Sequence, residues 1–271
     1  RKYTKRCTWR GPVGDTRSTN LEGCTYRMIT YFETHITEAC NLKCRGCSHF
    51  SVFAKPKHKD LAEFEREFKR LSEIETIGTM RLMGGEPLLN PDYMEYLRIA
   101  RKYFPNSHIV LVTNGTLSER LVPNVAELNE LRINVTLSDY HIGLEDKILY
   151  TERHEKGQLY NISLDPSGRQ NRDMAYYFCD IRQHEWFYYM AGRFYPCCIA
   201  GTIHDFWNHF GLDWGIDQND LSIDIFEHTA EEIEAFLHKP CELCRYCDTI
   251  KRQKTYQPFS KSNGDITEWT I

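Results

Sequence analysis

Three closely spaced cysteines near the start of the chain could bind one metal centre. They are Cys40, Cys44 and Cys47, in the pattern C-x3-C-x2-C, and they follow a run over 27–36 with the character of a β-strand. Thiolates on one short loop pair poorly as disulfides but can converge on a soft metal site. A [4Fe-4S] cluster takes four ligands, so three cysteines leave one iron open. The spacing therefore predicts a cluster with one position free for a substrate or cofactor.

The chain has eleven cysteines among its 271 residues, which is a high proportion. The basic N-terminus is not followed by an apolar segment, so we expect no signal peptide and a cytoplasmic location. Clustered cysteines in such a context bind metal more often than they form disulfides. Cys7 and Cys24 are expected to be free thiols. The later cysteines form two groups: Cys179, Cys197 and Cys198, and then Cys241, Cys244 and Cys247.

The composition limits the classes of partner. Hydrophobic residues make up 41% of the chain and charged residues 27%, and the formal net charge is −4. This balance gives no electrostatic basis for binding nucleic acid or an anionic membrane surface. No apolar run approaches the roughly 18 residues of a membrane-spanning helix. We therefore expect a globular protein that binds neither nucleic acid nor membrane.

Strand and helix patterns alternate through the first part of the chain. Strands are predicted at 27–36, 79–83, 108–113, 131–137 and 159–164, and helices at 61–71, from 91, at 117–129 and at 141–156. This alternation is typical of α/β proteins with a parallel sheet or partial barrel. The chemistry of such barrels gathers in the loops after the strands. We therefore expect the cysteine triplet, 84–87, 113–114 and Ser138 to share one face.

The pattern changes after residue 165. The segment 185–195 predicts a β-hairpin with its turn at Gly192. A loop-rich region with Trp207 and Trp214 follows, then a helix over 230–238 capped by Thr229, and a polar tail. The predicted division is an N-terminal extension over 1–27, an α/β unit over 28–165 and a smaller unit over 166–271.

The triplet Cys40/Cys44/Cys47 after one strand, with Gly84-Gly85-Glu86-Pro87 after the next, resembles the radical S-adenosylmethionine (SAM) enzymes. The resemblance covers about residues 28–165 and implies a partial (β/α) TIM-like barrel. It also implies that the three cysteines hold a [4Fe-4S] cluster and that SAM chelates the open iron. Reductive cleavage of SAM in that family gives a 5′-deoxyadenosyl radical, which abstracts hydrogen from an unactivated carbon.

The resemblance also implies a set of SAM contacts. Gly84 and Gly85 would let the backbone approach the ligand, Glu86 would accept from its ammonium group, and Pro87 would fix the turn. The ribose and carboxylate would meet Thr113, Asn114 and Ser138. The family often has an aromatic residue where this chain has Gly46, so Phe50 or His49 would face the adenine. The alternative for the triplet is a zinc site, which would leave Gly84–Pro87 without a role.

The C-terminal cysteines resemble a twitch module, the short form of the SPASM domain, in which four cysteines bind one auxiliary [4Fe-4S] cluster. Cys179 and Cys197 match its first two ligands. Cys244 and Cys247 are the preferred closing pair, with Cys241 and Cys244 as the alternate. Binding of zinc by Cys241, Cys244 and Cys247 remains open. The chain lacks the further cysteines of a full SPASM domain.

Two outcomes of the radical chemistry are left open. The auxiliary cluster could accept an electron, giving a dehydrogenation, or Cys198 could return a hydrogen atom, giving an epimer. Cys198 could equally be a small buried core residue. The expected partners are a small polar substrate such as a sugar or aminocyclitol, or else a peptide, together with a reductant such as flavodoxin or ferredoxin. A non-catalytic zinc-binding module is the alternative from another class.

Overall fold

The computed structural model describes residues 29–143, 150–155, 158–254 and 256–271. The predicted N-terminal extension, with Cys7 and Cys24, lies outside the described residues. The strands are β1 (Ile29–Thr37), β2 (Ile77–Gly84), β3 (His108–Thr113), β4 (Ile133–Asp139), β5 (Glu152–Glu155), β6 (Gln158–Tyr160), β7 (Phe187–Met190), β8 (Arg193–Tyr195), β9 (Ile223–Asp224) and β10 (Tyr256–Pro258).

The described helices are short except for those that pack on the sheet. They are α1 (Leu61–Ile74), α2 (Tyr93–Tyr103), α3 (Val125–Glu130), α4 (Arg172–Tyr177), α5 (Asp180–Gln183), α6 (Cys198–Phe210), α7 (Gln218–Leu221), α8 (Ala230–Leu237) and α9 (Thr249–Lys254). No helix in the described part of the chain is long and apolar enough to cross a membrane.

An open, mostly parallel sheet organises the fold. Eight strands lie in the order β5-β4-β3-β2-β1-β7-β8-β9. The first six strands in this order pair parallel with one another, whereas β8 pairs antiparallel with both β7 and β9. The sheet does not close, so it corresponds to the predicted partial barrel. Parallel strands place their carboxyl ends at one edge. The loops after β1, β2, β3 and β4 therefore meet there.

Helix α1 shows how the sequence positions the outer layer. The side chain of Asp60 accepts a hydrogen bond from the amide of Glu63 and so caps the helix. Phe64 and Phe68 recur at helical spacing, are fully buried and stack with ring centroids 4.0 Å apart. Phe68 also meets Phe32 of β1 edge-on at 6.4 Å. These aromatic contacts fix α1 against the sheet and leave the opposite face of β1 for other side chains.

Two predicted elements are wrong. The described part of 141–156 contains strand β5, which pairs with β4 instead of forming a helix. Its sequence, Glu-Arg-His-Glu, is polar because the strand lies at an edge of the sheet, so it lacks an apolar signal. The run 159–164 also does not continue the main sheet. Strand β6 pairs antiparallel with β10, and Ser163 has φ +55°, which interrupts the extended conformation.

The predicted hairpin is confirmed. Strands β7 and β8 pair antiparallel across a turn at Ala191 and Gly192, whose φ values are +49° and +75°. Two successive positive φ angles fit the tight hairpin turn in which glycine is favoured. Strand β7 also pairs with β1, so the hairpin extends the main sheet. The division at 165/166 stays a prediction.

Helix α6 was not predicted, and Trp207 lies within it rather than in a loop. The helix packs beside β7 at Gly201, where an added Cβ would come within 2.1 Å of the Tyr188 ring. It ends at Gly211, which adopts a left-handed conformation with φ +62°. The C-terminal tail is also more ordered than expected. Trp269 is fully buried, and its Nε1 donates to the carbonyl of Cys47 at 3.1 Å.

Candidate active site

A cavity lies at the carboxyl edge of the sheet. It brings together residues from the cysteine loop and from the ends of β2, β3 and β4. The lining residues are Cys40, Leu42, Cys44, Cys47, His49, Ser51, Val52, Met83, Gly84, Gly85, Val112, Thr113, Asn114, Ser138 and Tyr140. All three cysteines of the triplet are therefore next to five of the residues expected to contact SAM.

The two glycines at the end of β2 permit a close approach between protein segments. A Cβ on Gly84 would lie 2.2 Å from the carbonyl oxygen of Thr37, and one on Gly85 would lie 2.5 Å from both the Ala39 oxygen and the Cys40 Cβ. Side chains at these positions would push β2 away from the cysteine loop. The glycines thus hold the loop against the sheet and also leave the cavity open.

Glu86 ties β2 to β3 from a fully buried position. Its Oε1 accepts from the Thr113 hydroxyl at 2.7 Å and from the Leu88 amide, and its Oε2 accepts from the Asn114 amide at 2.7 Å. Burial raises the pKa of Glu86 to about 7, although these hydrogen bonds lower it. Neither Glu86 nor Pro87 lines the cavity. Direct contact of Glu86 with SAM stays a prediction, and its observed contacts position Thr113 and Asn114.

The cysteine loop has an aromatic neighbour, Tyr140, and of its three cysteines Cys44 is buried while Cys40 and Cys47 are partly exposed. Burial raises the pKa of Cys40 to about 12 and also raises the pKa of Cys44. Tyr140, just beyond β4, lines the cavity and interacts electrostatically with Cys44. Its ring lies 4.8 Å from that of Phe259 in the C-terminal segment.

Phe50 does not line the cavity. Its ring is fully buried and packs 5.1 Å from the ring of Phe206 in α6. Its φ of +48° turns the chain at the end of the cysteine loop. The prediction that Phe50 faces the adenine is therefore not supported by its position, whereas His49 lines the cavity.

The C-terminal cysteines surround a buried arginine. Cys179, Cys197, Cys244 and Cys247 influence one another electrostatically, and the Sγ atoms of Cys241 and Cys244 lie 3.8 Å apart. Burial raises the pKa values of Cys179 and Cys197, and it raises the pKa of Cys247 to about 12. These thiols are neutral unless a metal centre replaces their protons.

Arg252 of α9 is the cation among these cysteines, with 1% of its surface exposed. Its Nε donates to the Ile162 carbonyl at 2.9 Å, and its Nη1 lies 3.6 Å from the Cys179 Sγ and 3.9 Å from Asp180. Its Nη2 has no hydrogen-bond partner. Burial alone would lower the pKa of Arg252, but the Cys247 and Cys179 sulfurs raise it above its usual value. An anionic centre bound by these cysteines would compensate the buried cation.

The spacing of the ligand atoms bears on the zinc alternative. Within the described ranges, one set of three potential ligand atoms lies mutually within 4.8 Å, and it is formed by Glu33, His49 and Cys198. The triplet sulfurs are more widely spaced. A tetrahedral zinc ion with Zn–S bonds of about 2.3 Å would draw its sulfurs to about 4 Å from one another. A four-iron cluster is larger and fits the wider spacing better.

Residues 34–156 match the family model of the Radical SAM superfamily. This segment is a radical SAM domain. Proteins of that family use SAM and a [4Fe-4S] cluster, which agrees with the residues around the cavity. The match ends before the C-terminal cysteines, so it does not address the auxiliary cluster.

The curated relatives resemble less than half of the chain. A GTP 3′,8-cyclase of Nautilia profundicola is 31% identical over 113 residues, covering 41% of this chain and 36% of that protein. A GTP 3′,8-cyclase of Aliarcobacter butzleri is 28% identical over 132 residues, covering 48% and 41%. The chain thus spans about two fifths of the length of these relatives.

One solved structure extends the likeness beyond the radical SAM domain. The crystal structure of BtrN in complex with AdoMet and 2-DOIA covers 83% of this chain and 94% of its own, with a TM-score of 0.51 and 16% sequence identity. Identity at this level shows a shared fold. It does not transfer a substrate or a reaction.

The sequence analysis missed two residues that lie beside the cysteine groups, Arg252 and Trp269. Arg252 lies in a segment with Lys251 and Lys254, which is typical of a solvated helix. Trp269 lies in a polar tail, where a single aromatic residue gives no periodic signal. Each acquires its role only through contacts with distant parts of the chain.

Proposed function

We propose that the protein is a radical SAM enzyme with two [4Fe-4S] clusters that dehydrogenates a small polar substrate, such as a sugar or aminocyclitol. The observation that carries this proposal is the cavity in which Cys40, Cys44 and Cys47 lie beside Gly84, Asn114 and Ser138, within a radical SAM domain. When bound there, SAM and the cluster supply a 5′-deoxyadenosyl radical.

The chain's own residues would bind and orient SAM. The polar side chains of Thr113, Asn114 and Ser138 lie at the strand ends, where they can hydrogen-bond the ribose and carboxylate. Glu86 fixes the first two of these residues, and Asn41 holds the Asn114 side chain at 2.9 Å. The apolar side chains of Met83 and Val112 cover the cavity wall and limit the access of water.

We assign the auxiliary cluster to Cys179, Cys197, Cys244 and Cys247, with Cys241 as the alternate to one of the last two. The buried Arg252 supports an anionic centre at this position. In a dehydrogenation, loss of one hydrogen atom leaves a substrate radical. Loss of a proton and of one electron completes the oxidation to a carbonyl, and a cluster held by these cysteines would supply the acceptor for that electron.

The first experiment measures iron, sulfide and zinc in anaerobically purified protein. About eight irons with matching sulfide per chain would support two clusters, whereas zinc without sulfide would support the non-catalytic zinc-binding module. Incubation with dithionite and SAM should then release 5′-deoxyadenosine. Iron-loaded protein that releases none would contradict the radical mechanism.

The position of Cys198 favours a second candidate, an epimerase acting on a sugar or peptide. Its buried sulfur lies within 4.8 Å of ligand atoms of Glu33 and His49. Transfer of its thiol hydrogen to a substrate radical would leave a thiyl radical, which needs one electron from a reduced cluster and one proton. Cys198→Ala should still cleave SAM but no longer incorporate solvent deuterium at the inverted carbon. Unchanged deuterium uptake would rule out this role.

The relatives named GTP 3′,8-cyclase give a third reaction to compare. Their likeness covers less than half of this chain, and the outcome of the radical reaction would be decided at the C-terminal cysteines. Incubation with GTP therefore serves as a control in the substrate assays. We expect no GTP consumption.

A further inference from the structure

The inner face of β1 carries polar side chains that the radical SAM assignment does not use. Along the strand, Tyr31, Glu33 and His35 alternate with the apolar side chains of Phe32 and Ile36 in the core under the helices. Successive residues of a strand point to opposite faces of the sheet. The three polar side chains therefore lie on the face opposite the helices, toward the second core with Tyr188 and Cys198.

These side chains form two carboxylate–histidine pairs that contact each other. His35 Nδ1 lies 3.0 Å from Glu38 Oε2, and His49 Nε2 lies 3.2 Å from Glu33 Oε2. The two imidazole rings have centroids 5.0 Å apart, and Tyr188 meets the His35 ring edge-on at 5.2 Å. We call Glu33, His35, Glu38, His49 and Tyr188 the β1 cluster.

Two buried polar atoms of the β1 cluster have no hydrogen-bond partner. They are His35 Nε2 and the Tyr188 hydroxyl, on residues that are 1% and 0% exposed. Buried polar groups are normally hydrogen-bonded because an unsatisfied group keeps its full desolvation cost. Two such atoms on facing rings indicate a place where a polar ligand completes the network.

The charges around the cluster favour a cationic ligand. Glu33 and Glu38 each place a carboxyl group beside a histidine, at 3.2 Å and 3.0 Å. Asp205 of α6 adds a third carboxyl group that interacts electrostatically with Glu38 and His35. Arg81 of β2 is the permanent cation that acts on Glu33, and its Nε is buried without a partner. The β1 cluster and Asp205 together supply three carboxyl groups, against the one arginine that acts on Glu33.

We propose that the β1 cluster binds the substrate through a primary ammonium group and a neighbouring hydroxyl, so that the substrate is an amino alcohol. The ammonium would donate to Glu33 and Glu38, and the hydroxyl would meet His35 Nε2 and the Tyr188 hydroxyl. This inference rests on the proposed function, because it places the substrate beside the radical. His49 belongs to both the cluster and the cavity, and Cys198 lies within 4.8 Å of it.

The test compares two probes that differ at one group, D-glucosamine and D-glucose. Binding of each to the cluster-loaded protein with SAM is measured anaerobically by calorimetry. The amine should bind about tenfold more tightly or better, because hydrogen bonds to charged groups are the strong ones. Glu33→Gln and Glu38→Gln should each remove most of this preference. Glu119→Gln, at an exposed site after β3, is the matched control and should keep it.

The outcomes separate this inference from the proposed function. Equal binding of the two probes, binding of neither, or a preference that survives both substitutions would overturn the amine site, even where dithionite and SAM release 5′-deoxyadenosine. An amine preference that depends on Glu33, in protein that releases no 5′-deoxyadenosine, would support the site and refute the radical function. If one variant does not fold, the binding of the two probes to the wild type and to the other variant still tests the amine site.

Discussion

The buried cation at Arg252 gives a prediction whose sign depends on the metal content. Without a cluster, the surrounding thiols are neutral, and the guanidinium lies 3.9 Å from Asp180 with one nitrogen unpartnered. With an auxiliary cluster, the same guanidinium faces a centre of net negative charge. Replacing Arg252 by Met keeps much of the volume and removes the charge.

The expected magnitudes differ between the two states. In the loaded protein, Arg252→Met leaves a buried negative centre without its counter-charge, which costs about 3–5 kcal/mol of unfolding free energy. In the metal-free protein, loss of the bond to Ile162 costs roughly 1–3 kcal/mol. Removal of a buried cation whose ion pair with Asp180 is long, at 3.9 Å, offsets that loss, since its desolvation costs several kcal/mol. The metal-free variant should therefore be about as stable as the wild type.

The assay is anaerobic denaturant unfolding of both proteins, with and without reconstituted iron and sulfide. The variant should also retain about four irons per chain instead of about eight, because the auxiliary cluster is the one that is lost. Arg66→Met, at an exposed position on α1, is the matched control. Equal destabilisation of the loaded and metal-free forms would show that Arg252 is only a packing residue and would refute the reasoning.

Four further predictions follow from the site. Folding raises the pKa of Glu86 to about 7, so the folded state favours the neutral carboxyl group. The contribution of Glu86 to the unfolding free energy is therefore complete below about pH 4.5 and is lost as the pH rises through 7. Glu86→Gln should therefore reduce the loss of unfolding free energy between pH 5 and pH 8 by about 3 kcal/mol, and an unchanged pH profile would contradict this. Cys247→Ser should halve the iron content, whereas Cys241→Ser should not, and the reverse result would assign the alternate pair. Gly85→Ala should abolish the triplet-bound cluster, measured by electron paramagnetic resonance after dithionite, because its Cβ would lie 2.5 Å from Cys40. Trp269→Phe should lower the unfolding free energy by about 1–3 kcal/mol, because the Cys47 carbonyl loses the hydrogen bond from the indole nitrogen. An unchanged unfolding free energy would show that this hydrogen bond is dispensable.

The sequence predicted the parts of the site that lie directly after strands. Strand β3 was predicted with its observed bounds because 108–113 is a continuous β-branched and apolar run, as a buried parallel strand requires. Gly84, Gly85 and Ser138 could then be placed by topology alone, since parallel strands end at one edge. Cys40, Cys44 and Cys47 needed no fold prediction, because their spacing already places them on one loop.

The parts that failed depend on contacts between distant segments. Phe50 was expected at the adenine because it is the aromatic residue nearest to the triplet. Helix α6, which supplies Phe206 and draws Phe50 into the core, was not predicted. His35 alternates with apolar residues like any strand residue. The His35 Nε2 atom is buried because Tyr188 on β7 packs against the His35 ring. No local sequence pattern indicates that β7 pairs with β1.

The dipeptide Cys197–Cys198 connects the two halves of the proposed chemistry. Cys197 is the residue before α6 and is extended, with φ −163°, whereas Cys198 begins the helix. Because the backbone changes direction between them, their side chains have different neighbours. Cys197 interacts with Cys179 and Cys247, and Cys198 interacts with Glu33 and Cys47.

This arrangement would place the Cys198 thiol between the proposed auxiliary cluster and the proposed site of the radical. If Cys198 donates hydrogen, the resulting thiyl radical is one residue from a cluster ligand, so its re-reduction needs no large conformational change. If Cys198 only packs, its replacement by Ala leaves the dehydrogenation intact, because electron transfer through Cys197 does not use the Cys198 thiol. The choice between dehydrogenase and epimerase therefore depends on whether the Cys198 thiol faces the reacting carbon of the substrate. The β1 cluster would orient this carbon, since ligand atoms of its Glu33 and His49 lie within 4.8 Å of that sulfur.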